Sequence, residues 1–196
     1  MQEPRFLDRT TPPKIVTLIL MAGLSALTMN IFLPSLPGMA VYYGVPYGVM
    51  QQSVALYLAL SAALQIVIGP ISDRYGRRKV LLASLVLFLL ATIGTLLAPT
   101  ATWFLIFRMA QAVIAAGMVL SRAVVRDMVA DARAASMIGY VTMGMSLVPM
   151  IGPVIGGVLD DLYGWKANFA LLLILGAATL TLVWADLGET ASLRRV

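Results

Sequence analysis

Six apolar stretches, each long enough to cross a lipid bilayer, constrain this chain more than any other feature of its sequence. A helix needs about 20 apolar residues to cross roughly 30 Å of hydrocarbon. Backbone groups in lipid have no water to bond, so each stretch must be helical. The sequence predicts an all-α membrane protein with six transmembrane spans, numbered 1 to 6, at approximately residues 15–33, 49–71, 80–98, 102–125, 136–159 and 167–187.

The composition agrees with lipid as the surrounding medium. Apolar residues make up 60% of the chain and charged residues 12%, whereas about one quarter of a soluble domain is charged. The net charge of +5 does not indicate nucleic-acid binding, since the basic residues lie in short loops without interleaved aromatic residues. The absence of cysteine and histidine excludes disulfides and metal sites built on thiolates or imidazoles. We expect no metal and no cofactor.

The positions of Lys and Arg predict the orientation of the spans. Twelve of the fourteen basic residues lie in the N-terminal segment, in the loop after span 2, at or just after the end of span 4, or in the C-terminal tail. The opposite loops contain only Lys166, and Arg108 lies within span 4. Because Lys and Arg accumulate in cytoplasmic loops, we expect both termini in the cytoplasm. The first apolar run exceeds the apolar core of a signal peptide, so we expect span 1 to be retained.

Two loops share a pattern that indicates an internal repeat. Residues 69–76 (GPISDRYG) and 157–164 (GVLDDLYG) both fit G-x-x-x-D-x-Y-G. Three spans separate them, so we predict two three-helix repeats of inverted topology, an arrangement found in several transporter folds. Coincidence in a glycine-rich membrane protein is the alternative, and the equivalent placement of the two loops argues against it.

The loop after span 2 carries an ordered charge pattern, GPISDRYGRRK at residues 69–79. Gly76 permits a tight reversal of the chain, and Asp73 can pair with an arginine or cap a helix N-terminus. Such a cluster can hold two helix bundles together in one state and release them in another. A hairpin that only sets topology is the alternative. The candidate switch residues are Gly69, Asp73, Arg74, Gly76, Arg77 and Arg78.

Arg108 is a charged residue within an apolar span. A charge near the bilayer centre costs at least about 2.5–3.5 kcal/mol, so we expect it to face a cavity or a partner. Gln111 lies three residues on, on the same helical face. The alternative is that Arg108 extends to the outer surface, about two turns away. Tyr57 in span 2 is a candidate pocket residue, or equally a packing residue.

Span 5 combines prolines and glycines. Pro149 and Pro153 each remove a helix hydrogen bond and can bend the span. Gly152 and Gly156, with Gly157 beside them, form a stripe of small residues suited to close helix packing. Packing alone is an alternative to a role in conformational change.

These motifs together resemble the major facilitator superfamily. The loop after span 2 is similar to its G-x-x-x-D-R-x-G-R-R/K signature, and residues 108–112 (RMAQA) are similar to R-x-x-Q-G with Ala112 in place of glycine. Residues 152–157 (GPVIGG) resemble the G-P-x-x-G-G motif of the drug:proton antiporter branch. Residues 30–37 (NIFLPSLP) resemble D-x-Y-L-P-x-L-P of Bcr/CflA-type multidrug exporters, and Glu189-Thr190 is similar to the end of that group's sixth helix.

The resemblance implies that residues 1–196 are the N-terminal six-helix bundle of a twelve-helix transporter in the inner (plasma) membrane, with the C-terminal half absent. It implies efflux of small, drug-like molecules by alternating access, with Arg108 and Gln111 in substrate or proton coupling. Asn30 stands where the pattern has aspartate, which puts proton coupling by this half in doubt and leaves Asn30 as a hydrogen-bonding group for a substrate. The expected partners are the lipid bilayer, a small-molecule substrate, and a complementary six-helix half or a second copy.

The sequence leaves three alternative functions. One is an uptake permease of the same superfamily, against which the span 5 motif argues. Another is a non-transporting membrane remnant or scaffold. The third is an intramembrane serine enzyme, for which residues 144–146 (GMS) offer a weak nucleophile motif. Because the chain has no histidine, it cannot form the usual Ser–His dyad, and we expect no enzymatic activity.

Overall fold

The computed structural model describes residues 13–128 and 131–189, and in these residues all regular secondary structure is helical. Two 3-10 turns, Leu33–Ser35 and Gln111–Ile114, interrupt the α-helices. The α-helices are α1 (Ile15–Asn30), α2 (Leu36–Tyr43), α3 (Tyr47–Tyr75), α4 (Arg77–Leu97), α5 (Ala101–Ala110), α6 (Ala115–Met128), α7 (Asp131–Tyr163) and α8 (Lys166–Asp186).

These helices form six apolar spans, which confirms the predicted all-α architecture. Spans 2, 3, 5 and 6 are the single helices α3, α4, α7 and α8. Span 1 joins α1 to α2, and span 4 joins α5 to α6, each through a 3-10 turn. Span 1 continues past residue 33 to Tyr43 because Pro34 and Pro37 fall in the 3-10 turn and the first turn of α2, where a missing N–H is tolerated.

Span 1 lies at the centre of the bundle, where it packs against spans 4, 5 and 6. Its most apolar part is 61% buried, and that of span 4 is 56% buried. The corresponding parts of spans 2 and 5 are only 17% buried. Spans 1 and 4 therefore form the interior, and spans 2 and 5 present most of their apolar surface outwards.

The two loops of the predicted repeat turn at equivalent glycines. Gly76 separates α3 from α4 with a φ of 96°, and Gly164 separates α7 from α8 with a φ of 79°. Positive φ favours glycine because it has no Cβ. The last position of the shared motif thus makes the same kind of reversal in both loops, which supports the duplication inferred from the sequence.

Candidate functional site

Arg108 lies inside the bundle, in the last turn of α5, and is fully buried. Its Nη1 donates to Oε1 of Gln111 at 2.8 Å, and its Nη2 donates to the backbone oxygen of Thr28 in span 1 at 2.8 Å. The side chain therefore joins span 4 to span 1 and does not extend to the outer surface.

Two aromatic rings enclose the guanidinium group of Arg108. Its Cζ lies 4.0 Å from the ring centroid of Tyr57 in span 2 and 4.3 Å from that of Phe32 in span 1. A desolvated cation–π contact is worth about 2 kcal/mol or more. Within the described residues no carboxylate pairs with Arg108. Neutral oxygens and ring faces hold the charge there.

Gln111 extends this arrangement from span 4 to span 3. Its Nε2 donates to Oγ1 of Thr92 at 2.8 Å, and the Thr92 hydroxyl donates to the backbone oxygen of Phe88 at 2.7 Å. Gln111 and Thr92 are both fully buried. Sequence reasoning missed Thr92 and Thr28, because one is an ordinary helical threonine and the other contributes only a backbone atom.

Asn30 lies outside this chain of hydrogen bonds. Its Nδ2 donates to the backbone oxygen of Ala26 in the same helix at 3.0 Å. Its Cβ would lie 3.9 Å from a Cβ built on Gly152 of span 5. The structure thus brings Arg108, Gln111 and Tyr57 together and places Asn30 towards span 5 instead.

Arg77 is the central charge of the loop after span 2, and it is buried. Its Nε lies 2.6 Å from Oδ2 of Asp127 at the end of span 4, and its Nη2 lies 3.3 Å from Oδ1 of Asp73. The side chain of Asp127 is 2% exposed and that of Asp73 is 59% exposed. Sequence analysis missed Asp127, which is far along the chain. The sequence feature that could have indicated Asp127 is its position at the end of an apolar span, on the same side of the membrane as the basic loop.

The two neighbouring arginines of the motif point in different directions. Arg78 donates to the backbone oxygens of Leu187 at 2.7 Å and Trp184 at 3.1 Å, at the end of span 6. Arg74 is exposed, with its Cζ 5.6 Å from the ring centroid of Tyr75. The motif therefore has an inward-facing part that binds neighbouring spans and an outward-facing part open to other partners.

Replacing Gly76 with alanine is expected to destabilise the protein by about 1–3 kcal/mol. The new Cβ would require backbone that residues other than glycine rarely adopt, and it would collide with the carboxylate of Glu189. Gly69→Ala is the matched control, because a Cβ on Gly69 meets no atom within 4 Å and alanine favours helix. Thermal unfolding of the detergent-purified variants measures the difference. Equal midpoints for the two would contradict the structural role of Gly76.

Among the glycines of span 5, Gly156 has the tightest contact with span 1. A Cβ on Gly156 would overlap the backbone oxygen of Ile31. The neighbouring Gly157 has room, since its Cβ would lie 3.8 Å from Cβ of Pro34. Of these two positions, only position 156 requires glycine, because a side chain there has no space.

The remaining motif residues of span 5 lie within one continuous helix. Pro149 and Pro153 are inside α7, which runs through both without a break. A Cβ on Gly152 would lie 3.2 Å from Cδ1 of Leu27, a contact that a flexible side chain can relieve. Gly152 and Gly156 therefore face span 1, whereas Pro149 is exposed.

An open surface groove of about 680 Å³ lies away from Arg108, where span 1 meets the start of span 2. Its wall is almost entirely apolar, and its lining residues are Pro37, Ala40, Val41, Gly44, Val45 and Tyr47. Within the described part of the chain, no three acidic side chains cluster in a way that could hold a metal ion. Arg108, Gln111 and Tyr57 are not among the residues that line it.

The family model described as Major Facilitator Superfamily matches residues 18–194. The chain belongs to the major facilitator superfamily. The match covers nearly all of the chain, and the resemblance predicted from the motifs is confirmed. The members of this superfamily are transporters. This agrees with the expectation that the chain has no enzymatic activity, an expectation that the match does not test.

Curated members of the superfamily include relatives named for drug resistance. The chain is 34% identical to the chloramphenicol resistance protein of Pseudomonas aeruginosa over 85% of its length, and 30% identical to multidrug resistance protein D of Escherichia coli over 83%. It is 31% identical to the multidrug resistance protein MdtM of Salmonella typhimurium over 89%. The chain spans only 40% to 43% of the length of these relatives.

Solved structures of peptide transporter POT share the fold. The crystal structure of its E310Q mutant in complex with sulfate aligns with 88% of this chain and 37% of that one, with a TM-score of 0.72 and 20% sequence identity. The same mutant in complex with alafosfalin aligns with 93% of this chain and 43% of that one, with a TM-score of 0.72 and 18% identity. At this identity the likeness describes the fold alone.

Proposed function

We propose that this chain is the N-terminal six-helix half of a secondary active transporter that exports small, drug-like molecules across the inner membrane. The chloramphenicol and multidrug resistance relatives support this substrate class. Transport moves a molecule without making or breaking its bonds, so the proposal requires no catalytic residue. Ser146, the serine weighed as a nucleophile, donates its hydroxyl to the backbone oxygen of Thr142.

The buried charge of Arg108 is the observation that carries the proposal. A cation enclosed in the membrane interior is costly, and residues of this kind mark substrate or ion pathways. Arg108 contacts span 1 through Thr28 and Phe32, and span 2 through Tyr57. A substrate that displaces one of these spans would change the contacts of the charge. We assign Arg108, Gln111 and Tyr57 to coupling between substrate binding and helix movement.

The loop after span 2 is the proposed conformational switch. Its buried part, Arg77 with Asp127, fixes the loop to span 4. Its exposed part, including Asp73 and Arg74, is accessible to a second helix bundle in one state of the transport cycle. Gly76 makes the reversal between α3 and α4, Gly69 lies within the last two turns of α3, and Arg78 anchors the segment to span 6.

The exposure of spans 2 and 5 supports a partner bundle. Only 17% of the most apolar part of each is buried. Alternating access requires one bundle to rock against another around a shared site. We assign these two spans to contact with a complementary six-helix half or a second copy, and both termini to the cytoplasm. The motif glycines of span 5 let it pack closely against span 1, and we assign Pro149 and Pro153 to bending of the span as the bundle moves.

Proton coupling is assigned to the partner half. Asn30 does not titrate, and the buried carboxylates among the described residues, Asp127 and Asp186, lie at the span ends near the basic loop. In this half, Asn30 is assigned to hydrogen bonding with a substrate near span 5.

Efflux is expected only when the chain is reconstituted with a C-terminal half. We would combine it in liposomes with the C-terminal half of the Pseudomonas aeruginosa relative and measure efflux of radiolabelled chloramphenicol and of a fluorescent dye. Arg108→Met is expected to reduce efflux at least about tenfold, because it removes the buried charge. Arg122→Met, at an exposed arginine, is the matched control and should leave efflux unchanged.

Two outcomes would contradict the proposal. Absence of efflux in every preparation, with both halves folded, would favour a scaffold or remnant. Inward accumulation of the substrate against its gradient would favour the uptake alternative.

A further inference from the structure

The end of span 6 contacts the start of span 1 through a buried carboxylate. Asp186, the last residue of α8, is fully buried. Its Oδ2 accepts the hydroxyl of Thr17 at 2.6 Å and the backbone N–H of Lys14 at 3.0 Å. Lys14 is the residue immediately before α1. The carboxylate of one span thus lies at the N-terminus of another, where negative charge is favoured.

Glu189, three residues later, makes the same kind of contact with span 3. Its Oε1 accepts the backbone N–H of Arg77, the first residue of α4, at 2.8 Å. Its carboxylate also lies directly against Gly76, leaving no space for a side chain there. Two carboxylates in one short segment therefore lie at the starts of two different helices.

The contact with span 3 is reciprocal. Arg78, in the first turn of α4, donates to the backbone oxygens of Trp184 and Leu187 at the end of α8. The last carbonyl groups of a helix lack partners within the helix and favour a cation. Spans 3 and 6 run antiparallel and pack closely, so each supplies the charge that suits the end of the other.

The helices capped in this way lack caps of their own. Neither α1 nor α4 has an acidic residue in its first turn. Their N-cap residues, Lys14 and Gly76, make no side-chain cap hydrogen bond. The N–H groups at a helix start need an acceptor. Here Glu189 accepts the first N–H of α4, and Asp186 accepts the N–H of Lys14, just before α1, and the hydroxyl of Thr17 in its first turn.

We propose that residues 186–189 form a clasp that fixes the starts of spans 1 and 3 to the end of span 6, so that these three ends move as one unit. The clasp is separate from the ion pair of Arg77 with Asp127, which joins the loop to span 4. It does not depend on the substrate, on the direction of transport or on a second half. The purified chain is therefore sufficient to test it.

Hydrogen–deuterium exchange of the full chain in detergent tests the clasp helix by helix. Glu189→Ala is expected to speed amide exchange in the first turn of α4 by about fivefold and to leave the first turn of α1 unchanged. Asp186→Ala should have the opposite selectivity. Arg78→Ala should speed exchange only in the last turn of α8. Asp161→Ala removes an exposed carboxylate from the last turn of α7 and should change none of the three.

This crossed pattern separates a clasp from general destabilisation, which would speed exchange at all three helix ends. Uniform acceleration, or no change at α4 in Glu189→Ala, would overturn the proposal. If Asp186→Ala does not fold, Thr17→Val provides the test at α1, because it removes one hydrogen bond to Asp186 and keeps the side-chain volume. Unchanged exchange at α1 in that variant would count against the clasp.

Discussion

Gly156→Ala is expected to lower the free energy of unfolding by about 3 kcal/mol, more than any other single-methyl change in the span 5 motif. The new Cβ would overlap the backbone oxygen of Ile31, which cannot rotate away as a side chain can. Spans 1 and 5 would have to separate. That movement would also weaken the contact of Asn168, whose Nδ2 donates to Oγ of Ser35 at 2.9 Å and to the backbone oxygen of Gly156 at 3.2 Å.

Gly157→Ala is the control, because it adds the same methyl group at the next position, where the contact with Pro34 is an ordinary one. SDS unfolding titrations of the two detergent-purified variants compare their stabilities. A normal stability for Gly156→Ala would show that spans 1 and 5 are not held at the distance seen here.

Arg108→Lys is expected to destabilise the bundle by about 2–3 kcal/mol although it conserves the charge. The two Nη atoms of Arg108 donate to Gln111 and to Thr28. The face of the guanidinium group contacts the rings of Phe32 and Tyr57. A lysine ammonium cannot reproduce both the fork and the stacking. The buried charge would remain with fewer contacts to offset its desolvation.

Arg108→Met is expected to be less destabilising than Arg108→Lys, because it removes the charge and keeps most of the apolar volume. Arg108→Ala should lower the free energy of unfolding the most, by about 3–5 kcal/mol, because it also leaves a cavity. The same SDS titrations give the order of the three. A lysine variant as stable as the parent chain would show that the site requires only a positive charge.

The six spans could be predicted from the sequence because apolar length is a local property. Arg108 was predictable as a buried group for the same reason, since a charge in an apolar run stands out. The chain also encodes locally where the loops reverse, and Gly76 and Gly164 both turn as the shared motif indicates.

The partners of these residues could not be predicted, since they depend on how the helices are rotated against one another. A span that is apolar all round has no periodicity that indicates its inner face. The sequence for this reason does not indicate that Asn30 faces Gly152 of span 5 rather than Arg108. Asp127 lies 50 residues from Arg77, and no local pattern links the two.

The 3-10 turn at Gln111–Ile114 gives span 4 an adjustable length next to its buried charge. A 3-10 residue rises about 2.0 Å and an α-helical residue about 1.5 Å, so rewinding these four residues would shorten the span by about 2 Å. Each residue turns the chain by about 120° in a 3-10 helix and by about 100° in an α-helix. Rewinding the four residues would therefore also rotate α6 relative to α5 by about 80°. Arg108 belongs to the part before the turn and Asp127 to the part after it. A small change of winding in mid-membrane would therefore twist the carboxylate that holds Arg77.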